Sequence, residues 1–592
     1  MAGLTTNYSE SCARHTCNQL GILTLLSCVT HHLGYSNNKL FTPKNNNDHS
    51  REEYDFIIVG AGSAGCVVAN RLSENMKWKV LLLEAGNEEP IETDIPGMWF
   101  NFVDSSLDYK YQISVDSIQS KNSLAQRYTR GKVMGGSSAI NGMFYTRGNK
   151  EDYNDWARLG NTGWSWDDVL PYFKKSEDAK GFQDSKYHGT GGYLTVEPPP
   201  QTDRYFPIFV NAWKDIGLNE TDSNTGNQVG VGPAQFTTFQ GSRMSSNKAF
   251  IRPIRSTRQN LTIKTKAQVI KVIIDPKTKE AIGVQYEIKS SSGNIIKEAY
   301  ASKEVILSAG VIESPKLLML SGVGPTKYLK RFNIKIMKDL PVGRNFQDHV
   351  MVQAAIFDNE KVSPPTSCQT VENDLVHWFN EHKGPWSIPN GAGIVAYQQS
   401  KFEKRPGVAD LQYFVLRNRQ SNITGPYLDS FQIILILLST NHRGYVRLNE
   451  TDPVRGNPTA RFDSLPSEQD MKVLVDGVKF ARRLDRSKVL RDNGINLLKK
   501  PIKYCEQFDF NSESYINCLI KITIGAGMHG VGTCKMGISK DAVVDPKLKV
   551  HGIKRLRVID ASIMPTVVKA NTNAPAIMIG EKGSDLVKND WL

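Results

Sequence analysis

The sequence predicts an α/β fold built around a Rossmann-type nucleotide-binding domain, because it contains two buried strands, a helix between them and a glycine-rich turn. Tyr54–Val59 (YDFIIV) and Val80–Leu83 (VLLL) are short apolar runs, which are typical of parallel strands buried on both faces. Ala64–Ser73, between them, has helical character. Together these segments predict a β-α-β unit, and such units are right-handed in nearly all proteins.

Further strands of the same sheet are expected far along the chain. Strand-like segments recur at residues 261–274 (LTIKTKAQVIKVII) and 304–310 (EVILSAG). A last buried strand is expected within residues 555–565 (RLRVIDASIMP), before a helix that begins at about Ala574. The region 150–240, rich in Trp, Tyr, Gly and Pro, lacks the β-α-β pattern. We therefore expect loops of the nucleotide-binding domain to carry a second domain that covers the first.

The N-terminal segment is predicted to lie outside the folded body. Leu20–Val29 is an apolar run too short to span a bilayer, but it has the length of a signal-peptide h-region. We expect a signal peptide within residues 1–30 and a secreted protein, with a plain apolar patch in a leader as the alternative. Residues 36–53 are polar and Asn-rich, as in a linker, so the folded body is expected to begin at residue 54.

Charge and cysteine content argue against several classes of protein. The 592 residues carry a formal net charge of +13, but the lysines and arginines are scattered among acidic residues, which argues against nucleic-acid binding. We expect no transmembrane segment. The eight cysteines show no C-x-x-C spacing, and we expect no metal site. Cleavage of the leader would leave five cysteines, at least one of them unpaired, so the fold is not a disulfide-built scaffold.

A glycine motif directly after the first strand predicts where a dinucleotide binds. Gly60-x-Gly62-x-x-Gly65 provides a tight turn, a close backbone approach to a pyrophosphate and close packing of helix on strand. The helix N-terminus also offers free N–H groups to the anion. Glu84 ends the second strand, where its carboxylate can accept a hydrogen bond from an adenosine ribose hydroxyl and disfavours the 2′-phosphate of NADP.

A second glycine-rich segment distinguishes between NAD and FAD. Residues 130–141 read RGKVMGGSSAIN, and Gly135 and Gly136 allow another close backbone approach, flanked by hydroxyl groups and the Asn141 amide. A flavin needs such a neutral cradle along its ribityl chain and ring. The segment favours FAD and leaves an NAD-linked dehydrogenase as the disfavoured alternative.

These motifs resemble those of the glucose-methanol-choline (GMC) oxidoreductases, a family of FAD enzymes, and in particular its insect branch. The resemblance covers residues 54 to about 590. The matching segments are RGKVMGGSSAINGMFYTRG (130–148), SAGVIESPKLLMLSGVGP (308–325), LPVGRNFQDH (340–349), HGVGTCKMG (529–537) and LRVIDASIMPTVVKANTNAPAIMIGEK (556–582). Several long motifs in the family's order make the resemblance specific.

The resemblance implies a Rossmann-type FAD-binding domain interleaved with an α+β substrate-binding domain built on an antiparallel sheet. It implies that residues 54–150, 240–350 and 525–592 form the first domain, and that 151–239 and 351–524 form the second. The residues implied to hold FAD are Gly60, Gly62, Ser63, Gly65, Glu84 and Ala85 at the ADP half, Val269 at the adenine, Val133, Gly136, Asn141, Gly142, Met143 and Phe144 at the flavin half, and Asp560 and Ala561 at the ribityl chain. Some members attach FAD covalently through a histidine in the GGSS segment. Ile140 stands at that position here, so a non-covalent FAD is expected.

The resemblance also implies a reaction, the oxidation of an alcohol to an aldehyde or ketone by hydride transfer to flavin N5. His529 is the implied base, because a neutral imidazole within hydrogen-bond reach can take the hydroxyl proton. The glycines of 525–537 are expected to let this segment lie against the flavin. Asn571 is implied to orient the substrate oxygen. Asn573 is the competing choice, or else it caps the last helix. O₂ or a quinone-like acceptor is expected to reoxidise the flavin.

A second hypothesis from a different class stays open: a catalytically inactive, secreted paralogue that binds a small hydrophobic ligand. The sequence does not specify the alcohol, the electron acceptor or the oligomeric state. Residues expected to have no part in the chemistry are His349 and His551 as structural hydrogen-bonding groups, Cys66 and Cys534 as buried packing residues, and Trp99, Trp156, Trp164 and Trp166 as core residues.

Overall fold

The computed structural model describes residues 52–117, 124–182, 184–199, 205–290, 293–359, 368–389, 391–418 and 430–592. The expected signal segment lies outside these ranges, as does the expected linker apart from its last two residues.

Twenty-three strands occur among the described residues. They are β1 Glu52–Val59, β2 Val80–Leu83, β3 Tyr111–Ser117, β4 Leu124–Tyr128, β5 Glu177–Ala179, β6 Leu194–Val196, β7 Gly230–Pro233, β8 Thr238–Phe239, β9 Ser242–Arg243, β10 Leu261–Lys264, β11 Ala267–Ile274, β12 Ala281–Ser290, β13 Gly293–Leu307, β14 Arg344–Phe346, β15 Val350–Asn359, β16 Gly391–Gln398, β17 Leu411–Asn418, β18 Ser430–Leu437, β19 Gly444–Arg447, β20 Thr459–Leu465, β21 Ile495–Leu497, β22 Gly525–Ala526 and β23 Leu556–Val558.

Helices cover the sheets. They are α1 Ser63–Leu72, α2 Lys150–Arg158, α3 Trp166–Ser176, α4 Tyr205–Asp215, α5 Gly310–Leu320, α6 Thr326–Leu329, α7 Cys368–Glu381, α8 Glu468–Arg482, α9 Lys488–Asp492, α10 Glu513–Thr523 and α11 Asn573–Trp591. Short 3₁₀ turns include Gly136–Ala139 and Ala561–Ile563.

The first sheet contains the predicted β-α-β unit. Its strand order is β10-β2-β1-β13-β12-β11, with β23 beside β13, and β1 runs parallel to both β2 and β13. α1 connects β1 to β2, as predicted. β1 starts at Glu52, two residues inside the expected linker, because Glu52 and Glu53 pair with Ala299 and Tyr300 of β13.

Two strands of this sheet are shorter than the sequence predicted. The run 261–274 forms β10 and β11, separated near Lys266, whose left-handed φ of 54° interrupts an extended backbone. β23 ends at Val558, because the side chain of Asp560 accepts a hydrogen bond from Ser562 N and starts the turn Ala561–Ile563. The last helix begins at Asn573, one residue before the predicted start.

The second sheet is antiparallel along the order β21-β15-β18-β17-β16-β7, with β22 also paired to β15. Its side chains alternate between two faces, as expected for strands. Ile433 and Leu435 of β18 are buried in a core shared with α4, α8 and α10. The opposite face points toward the cavity described below. The α/β fold with an antiparallel second sheet agrees with the predicted fold class.

A five-stranded sheet, β14-β19-β20-β3-β4, joins segments that were predicted for different domains. β3 and β4 lie within residues 54–150, whereas β19 and β20 lie within 351–524. The two predicted domains therefore share a sheet, and their boundaries remain predictions.

Cysteines and tryptophans lie mostly where expected. Cys66 and Cys534 are free and buried. Cys505 and Cys518 form a disulfide, which the sequence did not predict. Most of the expected core tryptophans, Trp156, Trp164 and Trp166, are buried in the core of the first sheet. Within the described ranges, no helix is both long and apolar enough to cross a membrane.

Candidate functional site

A cavity of about 570 Å³ extends from the glycine turn after β1 to the inner face of the antiparallel sheet. Its lining includes every residue implied for FAD binding or catalysis except Gly65 and Val133. Gly65 lies behind the turn, where an added Cβ would be 1.9 Å from the Gly60 carbonyl oxygen. Val133 is fully buried, and its backbone packs against Gly86. These two residues support the cavity without forming its surface.

The glycine turn fits an approaching pyrophosphate. Gly60 has a φ of 98°, and a Cβ there would lie 2.6 Å from the Ser308 carbonyl oxygen, so only glycine is tolerated. A Cβ on Gly62 would meet no atom within 4 Å. Gly62 precedes α1 without a side-chain cap, which leaves the first helical N–H groups available to an anion.

Glu84 lies at the end of β2, on the cavity surface. Its Oε2 accepts a hydrogen bond from Ala61 N at 2.9 Å, and its Oε1 accepts one from Gly86 N at 2.7 Å. Burial raises the pKa of Glu84 to about 7, although these N–H groups oppose the rise. Each oxygen keeps a lone pair that can accept from a ribose hydroxyl. Ala85 and Val269 line the same end of the cavity.

The second glycine segment packs directly on the first. A Cβ on Gly136 would lie 2.8 Å from Gly62 Cα, so the two turns can approach this closely only because Gly136 has no side chain. Asn141 Oδ1 accepts hydrogen bonds from Met143 N at 3.0 Å and from Arg243 Nη1 at 2.9 Å. Gly142, Met143 and Phe144 line the cavity beyond it.

Asp560 and Ala561 line the cavity where β23 ends. Asp560 Oδ2 accepts hydrogen bonds from Gly310 N at 2.9 Å and from Ser314 Oγ at 2.6 Å. Burial raises the pKa of this carboxyl group. These two hydrogen bonds hold the start of α5 against the end of β23 at the cavity surface.

His529 and Asn571 lie side by side at the other end of the cavity. Asn571 Nδ2 is 2.9 Å from His529 Nε2. Asn571 Oδ1 accepts hydrogen bonds from Thr146 Oγ1 at 3.1 Å and from Gln412 Nε2 at 3.3 Å. Because two donors face the amide oxygen, the amide NH₂ is directed toward His529.

His349 forms the second contact of His529, although the sequence predicted only a structural role for it. The two Nδ1 atoms are 3.0 Å apart, so one of the rings carries the shared proton and the other accepts it. Asp348 Oδ1 accepts hydrogen bonds from the backbone N–H groups of both histidines, each at 2.7 Å. The FQDH segment of the family resemblance was the available signal for this pair. His551, by contrast, bonds to the Gly537 carbonyl oxygen and does not line the cavity.

The glycines around His529 contact protein groups, and Gly527 and Gly530 also line the cavity. A Cβ on Gly527 would lie 2.9 Å from His349 Cβ, and one on Gly530 would lie 2.2 Å from the Tyr128 hydroxyl oxygen. The glycines therefore bring the His529 segment against His349 and Tyr128.

The capping role considered for Asn573 is wrong: the N-cap of the last helix is Thr572, and Asn573 Oδ1 accepts a hydrogen bond from Ser63 Oγ at 2.7 Å.

Burial and nearby charge set the protonation of these groups. Burial, assisted by the positive charge of Arg130, lowers the pKa of His529 to about 3. Burial and the neighbouring His529 lower the pKa of His349 well below its usual value. Burial raises the pKa of Asp348 to about 6, although Arg130 and the Tyr128 hydroxyl oppose the rise. Both imidazoles are therefore neutral at neutral pH.

Comparison with known proteins identifies the family. Two family models, both described as GMC oxidoreductase, match residues 54–351 and 440–580. The chain belongs to the GMC oxidoreductase family. It is 41% identical over 557 residues to a glucose dehydrogenase (FAD, quinone) of Drosophila pseudoobscura pseudoobscura, covering 91% of this chain and 87% of that protein. It is 32% identical over 574 residues to an ecdysone oxidase of Spodoptera littoralis, covering 91% of this chain and 92% of that protein.

Solved structures agree with this GMC oxidoreductase in fold. The structure of formate oxidase has a TM-score of 0.82 and 25% identity, covering 92% of this chain and 99% of that one. Pyridoxine 4-oxidase from Mesorbium loti has a TM-score of 0.76 and 26% identity, covering 90% and 98%. The GMC fold and the insect relatives thus confirm the family resemblance seen in the sequence.

This GMC oxidoreductase is an FAD-dependent enzyme of the class that acts on CH–OH donors. The structure fits the cofactor, because the two glycine turns leave a cradle that any Cβ would disturb, next to uncapped helical N–H groups and a buried carboxylate. Ile140 lines the cavity with a hydrocarbon side chain. No group of three or more metal-binding side chains occurs among the described residues.

The wall of the cavity near His529 is apolar. Phe414 and Leu416 of β17, with Ile434 and Ile436 of β18, project from the antiparallel sheet into the cavity. Trp99, expected in the core, also lines the cavity, because the turn Pro96–Phe102 places it beside Gly142. Sequence reasoning missed this wall, since only the packing of β17 and β18 against distant segments brings these side chains to the cavity.

Proposed function

We propose that this GMC oxidoreductase oxidises an alcohol to the aldehyde or ketone, with His529 as the base that takes the hydroxyl proton. The observation that carries the proposal is the 2.9 Å contact between His529 Nε2 and Asn571 Nδ2 at the cavity surface. A substrate hydroxyl placed beside both atoms would donate to the imidazole and accept from the amide. FAD, when bound, supplies the hydride acceptor.

The hydrogen bonds around His529 favour the tautomer that a base needs. The amide of Asn571 directs an N–H toward Nε2, so that nitrogen carries the lone pair. The remaining proton then lies on Nδ1, where His349 Nδ1 accepts it. Because the pKa of His529 is lowered to about 3, its Nε2 is unprotonated throughout the neutral range. A substrate hydroxyl group would replace the Asn571 N–H as the donor to this nitrogen.

Proton transfer would leave His529 positively charged at a partly buried position. His349 Nδ1 accepts from the charged ring, and the carboxylate of Asp348 accepts from the His529 backbone N–H at 2.7 Å. Arg130 acts in the opposite direction, since its charge disfavours the imidazolium. Its guanidinium also donates to the Met528 carbonyl oxygen at 2.8 Å, which holds the segment that carries His529.

Removal of the imidazole tests the proposal. We expect His529→Ala to lower kcat with the best alcohol at least ~100-fold, because general-base catalysis of this kind contributes about that much. FAD content, read from the visible spectrum, should stay at the wild-type level. His551→Ala is the matched control, since His551 lies outside the cavity. Near-normal turnover of His529→Ala would refute the assignment of the base.

The cofactor is proposed to be non-covalent and the acceptor to be O₂ or a quinone-like compound. Ile140 offers no nucleophilic atom for a flavin bond, so acid precipitation of the protein should release all of the yellow colour. The name of the glucose dehydrogenase relative supports a quinone. Parallel assays with O₂ and with a quinone dye would separate the two acceptors.

The apolar wall of the cavity keeps the second hypothesis, an inactive protein that binds a small hydrophobic ligand, worth testing. The intact pair of His529 and Asn571 favours the enzyme. Addition of alcohols without oxygen distinguishes the two hypotheses, because only an active enzyme bleaches its flavin.

We also propose that the protein is secreted. The apolar run Leu20–Val29 supports this, although it lies outside the described residues. The disulfide Cys505–Cys518 supports it independently, since disulfides persist mainly in oxidising compartments.

A further inference from the structure

We propose that the substrate is an elongated, apolar alcohol rather than a sugar, an inference that rests on the proposed function and specifies its substrate class. The inference comes from the order of side chains on the inner face of the antiparallel sheet. There, polar residues lie beside His529 and again at the far end of the wall, and apolar residues lie between them.

The register of β17 and β18 defines this order. Gln412 pairs with Ile436, Phe414 pairs with Ile434, and Leu416 pairs with Gln432. Since side chains two residues apart share a face, these three rows project from the same side of the sheet. Gln412 to Leu416 spans about 13 Å at the usual rise of an antiparallel strand.

The first row belongs to the reaction end of the cavity. Gln412 donates to Asn571 Oδ1 at 3.3 Å and to the Tyr397 hydroxyl oxygen at 2.8 Å. Its amide is therefore occupied in orienting Asn571. A reacting hydroxyl group beside Asn571 would begin the substrate at this row.

The middle row of the wall, Phe414 and Ile434, offers no hydrogen-bonding side chain. Gln353 of β15 pairs with Ile434, but it does not line the cavity, and its Oε1 accepts a hydrogen bond from Gln432. Phe414 packs on Phe144, with ring centroids 4.2 Å apart, and Ile434 and Leu416 stay partly exposed to the cavity. The next polar side chain along the wall is Gln432, which donates to Gln353 Oε1 at 2.8 Å. An apolar chain lying along this wall would remove apolar surface of these side chains from water, which favours binding.

A sugar fits this wall poorly. Each hydroxyl group that leaves water needs a partner, and a hydroxyl group against Phe414 or Ile434 would lose its hydrogen bonds without replacement. A hydrocarbon loses nothing there and gains by removal of apolar surface from water. The wall thus discriminates against polyols, although a relative bears the name glucose dehydrogenase.

The first test compares primary alkanols, from ethanol through butanol and hexanol to octanol, with glucose on the FAD-loaded enzyme and one dye acceptor. We expect kcat/KM to rise about fourfold for each added methylene, the increase that the transfer of one CH₂ group from water supports. Octanol should exceed glucose at least ~100-fold. A flat response to chain length, or glucose as the better substrate, would overturn the substrate class while leaving the proposed oxidation intact. Failure of all substrates to reduce bound FAD would instead refute the proposed function.

The second test uses a matched pair of variants at one position of the wall. Ile434→Val and Ile434→Thr have side chains of nearly equal shape, and only the second places a hydroxyl group on the wall. We expect kcat/KM for octanol to be about tenfold lower in Ile434→Thr than in Ile434→Val, with ethanol unchanged between them. Equal values for octanol in the two variants would show that the chain does not lie on this wall.

Discussion

At the scale of single residues, Asp348 joins the two histidines of the site. His349 and His529 lie 180 positions apart in the sequence, yet both backbone N–H groups donate to one oxygen of this carboxylate. Its other oxygen accepts from the Tyr128 hydroxyl group at 2.8 Å. Because hydrogen bonds to an ionised acceptor are about twice as strong as neutral ones, the charge of Asp348 holds the pair in place.

This arrangement predicts a pH dependence that belongs to Asp348. Burial raises the pKa of Asp348 to about 6, so the carboxylate is ionised above pH 6 and gains a proton below it. Protonation weakens both backbone hydrogen bonds, and we expect kcat/KM to fall as the pH drops through about 6. His529 does not account for such a fall, because its pKa is about 3.

The Asp348→Asn variant tests this assignment. An amide cannot titrate, so we expect a lower but level kcat/KM between about pH 5 and 8, the range in which the wild-type value falls. Asp339→Asn is the control, since the Asp339 carboxylate bonds to Thr326 N near the surface. If kcat/KM of Asp348→Asn still falls as the pH drops through about 6, a group other than Asp348 is responsible for the fall.

Residue roles could be predicted from the sequence only where a motif carried them. Gly62, Glu84 and His529 stand in motifs of fixed spacing, and the structure places all three on the cavity. The place of Trp99 on the cavity and the contact of His349 with His529 were missed, because both depend on packing between distant segments, which no local pattern records.

At the scale of elements, the glycine turn and α1 make separate demands on Gly62 and Gly65. A methyl group on Gly65 would lie 1.9 Å from the Gly60 carbonyl oxygen, whereas one on Gly62 would meet no atom within 4 Å. We therefore expect Gly65→Ala to lower the thermal stability of the apoprotein and to abolish FAD binding. Gly62→Ala should keep the stability of the apoprotein but weaken FAD binding at least about tenfold, because its methyl group occupies the approach of the pyrophosphate.

Thermal unfolding and flavin titration of the two apoproteins measure these effects. If Gly62→Ala bound FAD as tightly as the wild type, the turn would not contact the pyrophosphate. Full stability of Gly65→Ala would contradict the expected clash with the Gly60 carbonyl oxygen.

A second element-scale prediction concerns the buried charges that join β5 to the segment around Asp222. His188 lies between Glu177, at 3.1 Å, and Asp222, at 2.8 Å, and Arg147 also pairs with Glu177. Burial alone would lower the pKa of His188, but the hydrogen bonds to Asp222 and Glu177 raise it to about 9. The folded state therefore binds this proton more tightly than the unfolded state.

The direction of this pKa shift determines how the stability of the folded state depends on pH. Stabilisation by charged His188 is complete below about pH 6.5, the unfolded pKa, and is lost as the pH rises through about 9. We expect the apparent Tm to fall by about 1–2 °C over that interval because of this group. The fall should be smaller in His188→Asn and in Asp222→Asn. An unchanged fall in both variants would exclude His188 as its source.

At the scale of the whole molecule, the sequence predicted the nucleotide-binding half better than the other half. β1, α1 and β2 follow one another within 32 residues, so their periodicity and the glycine motif suffice. The antiparallel sheet joins β7, at residues 230–233, to β16, at residues 391–398, and such pairings cannot be read from local patterns. The shared sheet of β3, β4, β19 and β20 was missed for the same reason.

The proposed secretion predicts which of two acceptor asparagines, Asn219 and Asn260, carries a glycan. Asn219 begins the acceptor sequence NET and is exposed, whereas Asn260 begins NLT and its Nδ2 donates to the carbonyl oxygens of Ser73, Asn75 and Trp78. A glycan on Asn260 would remove these hydrogen bonds, so folded, secreted protein should carry a glycan at Asn219 and none at Asn260.

Expression of the full chain in insect cells, followed by mass spectrometry of the medium, measures the outcome. Asn219→Gln should remove the glycan mass from that site. Asn260→Gln should leave that mass unchanged but lower the apparent Tm. The additional methylene group of glutamine moves its amide away from the position that bonds to the three carbonyl oxygen atoms. Secreted protein should also resist alkylation at Cys505 and Cys518 until it is reduced. Protein that stays inside the cells, lacks a glycan and reacts at both cysteines would contradict the proposed location, while the chemistry proposed for His529 would be unaffected.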